Sequence, residues 1–455
     1  MAAPARRGTR IAVLLVLALV ALSAGTWGLH RWAPFAHEAG EVTWPDNIEP
    51  LATFVEHTTH LTFLHDVRVE YTDGPEAFTE RVGGPPPVTQ DALDLADTQD
   101  AVGRALGLWS GDTSVLRSSQ AMDSGSTTAQ WLYADNTLVV NAEDASAELD
   151  AYTRAQVVLQ LTFALDQQRF RLSERISALD SGQAFQSAAS VGLGHAVWVH
   201  DEYYVRLHSD EREDYDDTLA DQVDAYTEQV VDVPPAFTAL RIAAQRLGPT
   251  FIAVLDDGGA AGLRHALAED LPVALDQVAQ PSTKYLHRDD VEAASAPPSP
   301  RDARVLFSTV AGPLTLFMMM ATGEAPNSAL TASDGWGNDA YTVYVLDDHI
   351  CVDLHVVADS RDDADLIETG LTAWARARPA EAGALVGRDG VDLYASVCDP
   401  GIDARQITPS RQMIDQYFNR NGLLRQQLEQ TGNAALAECI AVLAYERHTQ
   451  REIET

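Results

Sequence analysis

The sequence predicts an α+β protein: a domain with a mixed sheet and a central helix, then a smaller α/β C-terminal region with terminal helices, behind an N-terminal transmembrane helix. Three observations lead there. Residues 151–172, AYTRAQVVLQLTFALDQQRFRL, carry apolar side chains at helical spacing on more than one side, the pattern of a buried central helix. Short runs rich in β-branched and aromatic residues, such as 129–141 and 341–357, alternate with longer helical segments. Ile11 to Leu29 is an uncharged run of 19 residues, long enough to cross a bilayer as a helix.

In chain order, a basic end at 1–10 puts Arg6, Arg7 and Arg10 before that run. The positive-inside rule then predicts a single-pass cell-membrane protein, anchored at 11–29 with the rest of the chain outside the cytoplasm. Cleavage at the small residues Leu22-Ser23-Ala24 would instead give a secreted protein. The apolar run continues through Trp27 to Leu29, beyond the usual signal core, which favours the uncleaved anchor. A tether follows at 30–44, and the remaining residues suffice for one large or two medium domains.

Composition narrows the partners. The formal charge of −36, from 67 acidic and 31 basic residues with Lys284 the sole lysine, excludes nucleic-acid binding and docking on anionic lipid. The excess acid reads as solubilising. Of three cysteines, Cys351 and Cys398 fall in apparent strands of one region and are candidates for a disulfide, while Cys439 sits on an apolar helical face and is expected as a buried thiol.

Within 45–293, Ile48 to Thr58 has helical spacing and 60–71, HLTFLHDVRVEY, alternates as a strand. His57 and His60 share a helix face and His65 follows, yet no third ligand accompanies them, so they read as surface or packing histidines. GGPPPV at 83–88 is a break and 90–108 is helical. Residues 129–141 read as a hairpin around Ala134-Asp135-Asn136.

The helix at 151–172 resembles the active-site helix of exported bacterial zinc-metallopeptidase-like proteins of the His-Glu-x-x-His, gluzincin-like class. Those carry His-Glu-Leu-Thr-His-Ala-Leu-Gln-Asp-Gln-His-Phe, and the ungapped counterpart is Leu159-Gln160-Leu161-Thr162-Phe163-Ala164-Leu165-Asp166-Gln167-Gln168-Arg169-Phe170. In such a helix two imidazoles one turn apart bind zinc, and the Glu beside the first polarises the metal-bound water. Leu159 and Phe163 have no lone pair for a metal, and Gln160 cannot act as a base at neutral pH. Zinc is therefore expected to be absent. Leu159 and Phe163 are expected to fill the emptied site with packed apolar volume.

The resemblance continues downstream. Where the family has Glu-Gly-Asp-Ala on the next helix, 181–206, this chain has Leu193-Gly194-His195-Ala196, so the acidic position is also lost. His195 and His200 lie about 140° apart around a helix and do not converge on a replacement metal. Residues 209–217, SDEREDYDD, read as a solvated loop. The segment 240–287 is similar to the family through Phe251, Gly258, Gly259, Pro281, Ser282, Thr283, Leu286 and His287. Gly258-Gly259 reads as a helix stop and Ser282-Thr283 as a cap or turn.

ASAPPSP at 294–300 is the linker candidate, introducing 301–455. Val305 to Thr322 is expected as a buried apolar helix. Gly335-Trp336-Gly337-Asn338-Asp339 is similar to the family's Gly-Trp-x-Gly-Asp and leads into a hairpin around Asp347-Asp348-His349. Asp359 to Arg376 is a helix capped by Asp359 or Ser360, 391–400 is a strand, and 408–447 is a helical pair broken near Gly432.

The resemblance implies an inactive, membrane-anchored pseudo-peptidase outside the cytoplasm. It would bind a peptide, envelope component or partner protein through a remnant cleft of Gln160, Thr162, His195 and His287. The alternative is a hydrolase or peptidase with a rebuilt or partner-completed site.

Overall fold

The computed structural model describes residues 43–447 apart from 84–87, 124–127, 180, 258–259 and 288–292. The expected transmembrane helix must be corrected: among the described residues no helix is long and apolar enough to cross a membrane. The run 11–29 that prompted it, with the basic end and most of the tether, lies outside the described residues, as does Gly258-Gly259. The single-pass membrane assignment is accordingly not carried forward.

Two sheets organise the α+β fold. The chain opens with α1 (Glu49–Thr59), β1 (Arg68–Thr72), α2 (Pro75–Val82), α3 (Gln90–Leu106), α4 (Val115–Asp123), β2 (Ala129–Leu132) and β3 (Thr137–Asn141), and its three strands form the first sheet. Its order is β1-β3-β2, with β1 parallel to β3 and β2 antiparallel to it, so the sheet is mixed and β2 lies at an edge. Only the last four residues of HLTFLHDVRVEY and the following Thr72 pair as a strand. The β2–β3 hairpin turns through Tyr133–Asp135 and Asn136, whose φ of +51° suits a residue that tolerates the left-handed region.

Helix α5 (Ala151–Phe170) opens where Asp150 accepts the Thr153 N–H at 2.7 Å. It is buried along most of its circumference, and Val158, Leu161 and Leu165 join Ile48, Leu138 and Val140 in one apolar cluster beneath the small sheet. A short α6 (Leu172–Ser177) follows, then α7 (Gly182–Tyr204), with Ser181 as cap. Residues 209–217 are not a loop: they begin α8 (Ser209–Gln229). Only Tyr215 of α8 is fully buried, so a thin stripe of contacts holds an otherwise solvated acidic helix, and the charge run could not disclose it.

Helix α9 (Pro235–Asp257) crosses α7 closely. A Cβ on Gly194 would lie 2.4 Å from the Gly248 backbone, so glycine is required where the two helices touch. Helices α10 (Ala260–Ala268) and α11 (Leu275–Ala279) lead to a π-turn at Pro281–Leu286.

The expected apolar helix 305–322 is replaced by two elements. Residues Arg304–Thr309 form β4, and Gly312 with φ of +82° starts α12 (Pro313–Met320), whose Pro313 fits the first helical turn. After α13 (Pro326–Asp334) come β5 (Trp336–Leu346) and β6 (His349–Ala358), joined through Asp347 and Asp348, both at positive φ as a tight hairpin requires. Helix α14 (Arg361–Ala377), capped by Ser360, precedes β7 (Leu385–Asp389) and β8 (Asp392–Cys398). The second sheet has order β4-β5-β6-β8-β7 and is antiparallel throughout.

Helices α15 (Arg411–Thr431) and α16 (Ala434–Arg447) end the described chain, separated by Gly432 at φ of +57°. The largest apolar cluster runs from Val102 through α7 and α9 to the second sheet and Tyr445. Residues 294–300 therefore do not divide two separate cores. They lie along the sheet, where the Ser295 carbonyl meets His355 Nδ1 at 3.0 Å and the Pro297 carbonyl accepts the Thr342 hydroxyl at 3.0 Å.

Candidate functional site

Helix α5 runs beside edge strand β2, and Gln160 joins them. Its Oε1 accepts the Trp131 backbone N–H at 2.9 Å, an outward-facing donor of the edge strand, and lies 3.5 Å from Gln130 Nε2. An amide oxygen suits this task because it accepts without carrying a charge that burial would penalise. Leu159 and Phe163, one turn apart on the helix's outer aspect, are only partly buried, and so is Leu193 on α7. The expectation that these apolar residues fill a closed core is corrected: they edge it and keep some contact with solvent. Phe163 packs against the small-sheet cluster.

The other residues of the expected cleft point to different tasks. Thr162 is wholly buried and returns its hydroxyl to the Val158 carbonyl at 2.9 Å, one turn back in its own helix. His195 is 2 % exposed and bonds Asp166 of α5, with Nδ1 at 3.0 and 2.9 Å from the two carboxylate oxygens. A carboxylate only accepts, so Nδ1 carries the proton of this contact. The imidazole is stacked on Trp198 at a centroid distance of 6.0 Å. His287 is exposed at the end of the π-turn, bonded to the Ser282 carbonyl. The structure thus assigns Gln160 to β2, His195 to the α5–α7 contact and His287 to a local turn, with no bond among the three.

Asp166, which the sequence reading passed over, is the partner that matters to His195. It stands where the resembling motif has Gln, and its spacing of four from Thr162 puts both on one side of α5. An Asp-oriented imidazole can serve a base or a metal. Here no hydroxyl or thiol is bonded to its Nε2, and no group of three or more His, Cys, Asp or Glu suited to a metal occurs among the described residues. The dyad bolts α5 to α7. His200 does likewise for α8: its Nδ1 is 3.3 Å from Asp201 and its Nε2 3.1 Å from the Tyr215 hydroxyl.

Two shallow depressions among the described residues lie away from Gln160. One of 360 Å³ is lined by Tyr204, Ser209, Arg212, Glu213, Asp216 and Asp217, and one of 300 Å³ includes Glu324, Thr331, Leu366 and Glu446. Burial raises the Glu324 carboxyl above the usual range.

In the second sheet, Cys351 and Cys398 are paired residues of β6 and β8, joined by a disulfide. Cys439 is exposed, against the expectation of a buried thiol. Asp339 of the Gly-Trp-x-x-Asp stretch is 1 % exposed and accepts from Ala311 N, Gly312 N and Trp336 Nε1 at 2.7, 2.7 and 2.9 Å. Desolvation outweighs these three donors and pushes its carboxyl up to about 6. It holds the Ala311-Gly312 turn that precedes α12 and ties it to β5, which is an architectural task. Comparison with protein-family models, with curated proteins and with solved structures returned no match.

Proposed function

We propose that this chain is a degenerate gluzincin-like protein that acts by binding a partner protein and performs no peptide hydrolysis. The observation that carries the reading is the commitment of Gln160 to the Trp131 N–H, at the position where the resembling proteins place their water-activating glutamate. Leu159 and Phe163, at the histidine positions, have no lone pair to offer a metal. The bond also occupies an outward donor of β2, so an extended peptide cannot add to the sheet edge at Trp131. Partner recognition then falls to the outer surface and not to a threaded cleft.

The test is incubation of the full chain with a mixture of internally quenched peptides, with and without added zinc. The expected result is no cleavage above that of a His195→Ala variant. Chelator-sensitive cleavage that disappears in His195→Ala would overturn the proposal and favour a rebuilt hydrolase site around the Asp166–His195 pair.

A further inference from the structure

The smaller of the two depressions, of 300 Å³, opens between three helices in the second half of the chain. Glu324 lies just ahead of α13, Ser328 and Thr331 are on α13, Leu366 and Thr369 on α14, and Glu446 on α16. Glu324 can lie against α14 because that helix has a glycine there. A Cβ on Gly370 would stand 2.7 Å from Glu324 Oε1 and 2.4 Å from Met320 Sδ.

Three observations define the guest this hollow fits. The first is an orphaned acceptor. Glu324 Oε1 is shut away from solvent and meets no hydrogen-bond donor among the described residues, and burial raises the carboxyl with no base beside it to oppose the shift. The second is the sense of the hydrogen bonds in the wall. Thr331 Oγ1 donates to the Asn327 carbonyl at 3.1 Å and Thr369 Oγ1 to the Asp365 carbonyl at 2.8 Å, so both hydroxyls have spent their protons and keep lone pairs for a guest. Asn327 Nδ2 donates to the Tyr445 carbonyl at 2.9 Å. The third is charge: two carboxylates and no base line the hollow, with Leu366, 44 % exposed, as an apolar lip. Such a wall repels anions and rewards a cation that brings its own N–H donors. A metal ion is poorly served, because no group of three or more His, Cys, Asp or Glu suited to one occurs among the described residues.

We propose that the hollow between α13, α14 and α16 binds an organic cation with N–H donors, an alkylammonium or alkylguanidinium, its head on Glu324 and its aliphatic stem against Leu366. The head supplies the donor and the counter-charge that Glu324 lacks, Thr331 and Thr369 accept its further N–H bonds, and Glu446 adds attraction at the mouth. The proposal is independent of the peptidase-like reading.

The experiment is a calorimetric titration of the full chain with butylguanidinium, butylammonium and butyltrimethylammonium. All three have the same charge and stem, but the last has no N–H donor. At least one donor cation should bind about tenfold or more tightly than butyltrimethylammonium, and Glu324→Gln should weaken that binding by about tenfold or more. Glu446→Gln, at an exposed position, should weaken it several-fold and keeps the test decisive if Glu324→Gln does not fold. A capped Ala-Arg-Ala peptide that matches butylguanidinium would assign the site to an arginine side chain of a partner protein, whereas binding of the free cation alone would assign it to small amines. Equal binding of all three cations, or an affinity unchanged in the variants that fold, would mark a diffuse attraction to a chain of formal charge −36 and overturn the proposal. Absence of binding by both donor cations overturns it too.

Discussion

Around the three-stranded sheet, groups leaving water are satisfied by neutral amides and backbone: Gln160 takes the Trp131 N–H, Gln168 Oε1 takes the Leu64 N–H at 2.7 Å, and Asn136 Nδ2 donates to the Asp66 carbonyl at 2.8 Å. The five-stranded sheet solves the same problem with stronger and costlier chemistry. It buries the Asp339 carboxyl against three donors, closes β6 on β8 with a disulfide, and holds His355 between the Ser295 carbonyl and Asp392, 2.8 Å from Nε2. Beside the first sheet, Leu159, Gln160 and Phe163 thus serve uncharged packing, and the buried charge is the Asp166–His195 pair between α5 and α7. The second sheet adds a buried carboxyl without a cationic partner and a redox-sensitive disulfide.

This contrast makes the second sheet the more vulnerable of the two. Trp336 is 1 % exposed and donates to Asp339, so Trp336→Ala removes a large core side chain and one of the three donors. A loss of about 3–5 kcal/mol is expected in denaturant unfolding, against a smaller loss for any single polar change beside the first sheet. A Trp336→Ala variant as stable as wild type would erase the distinction.

The disulfide bridges a separation of 47 residues. Cys351→Ser with Cys398→Ser should cost about 2–4 kcal/mol, read as a lowered melting temperature that reductant reproduces in wild type. The smaller increments of the first sheet should be indifferent to reductant.

The pH response sharpens the contrast further. Asp339 has a folded value of about 6, above the ordinary 3.8, so the fold favours its protonated form. Its stabilising contribution is present below pH about 4 and is lost as pH rises through about 6. Wild type should therefore lose stability relative to Asp339→Asn between pH 4 and 7, by up to about 3 kcal/mol. Relative stability that increases over that range would contradict the assignment. Asp100 behaves in the same sense for the same reason: burial pushes its carboxyl up to about 6, although it accepts the Val115 N–H at 2.6 Å.

The smallest effect belongs to Gln160→Leu, which leaves the Trp131 N–H unpaired at about 1–2 kcal/mol. Hydrogen exchange should rise selectively at Trp131. Unchanged protection there would mean that Gln160 is not the clamp on β2.

Much of this architecture was legible in the residues. The β5–β6 hairpin announced itself through Asp347-Asp348, the α15–α16 break through Gly432, and α5 through its apolar periodicity, because turn chemistry and period are local properties. Helix α8 was hidden because its buried stripe is one tyrosine with a few half-covered residues, so charge dominated the pattern. The 305–322 segment misled because an edge strand and a short helix, both apolar, abut at Gly312-Pro313. The candidate site was legible only in part. Leu159 and Phe163 show from the sequence that these positions offer no lone pair to a metal, but the bond from Gln160 to β2 and the pairing of Asp166 with His195 depend on neighbours 29 residues distant in each case. No local signal reports such a contact.

The central claim is that the α5 motif positions serve packing and not a metal. The direct measurement is the zinc content of the purified full chain, by elemental analysis after equilibration with trace zinc and exhaustive dialysis. The account predicts far less than one zinc per chain, unaltered by His195→Ala or His200→Ala. About one tightly held zinc per chain, lost on substitution of either histidine, would contradict it.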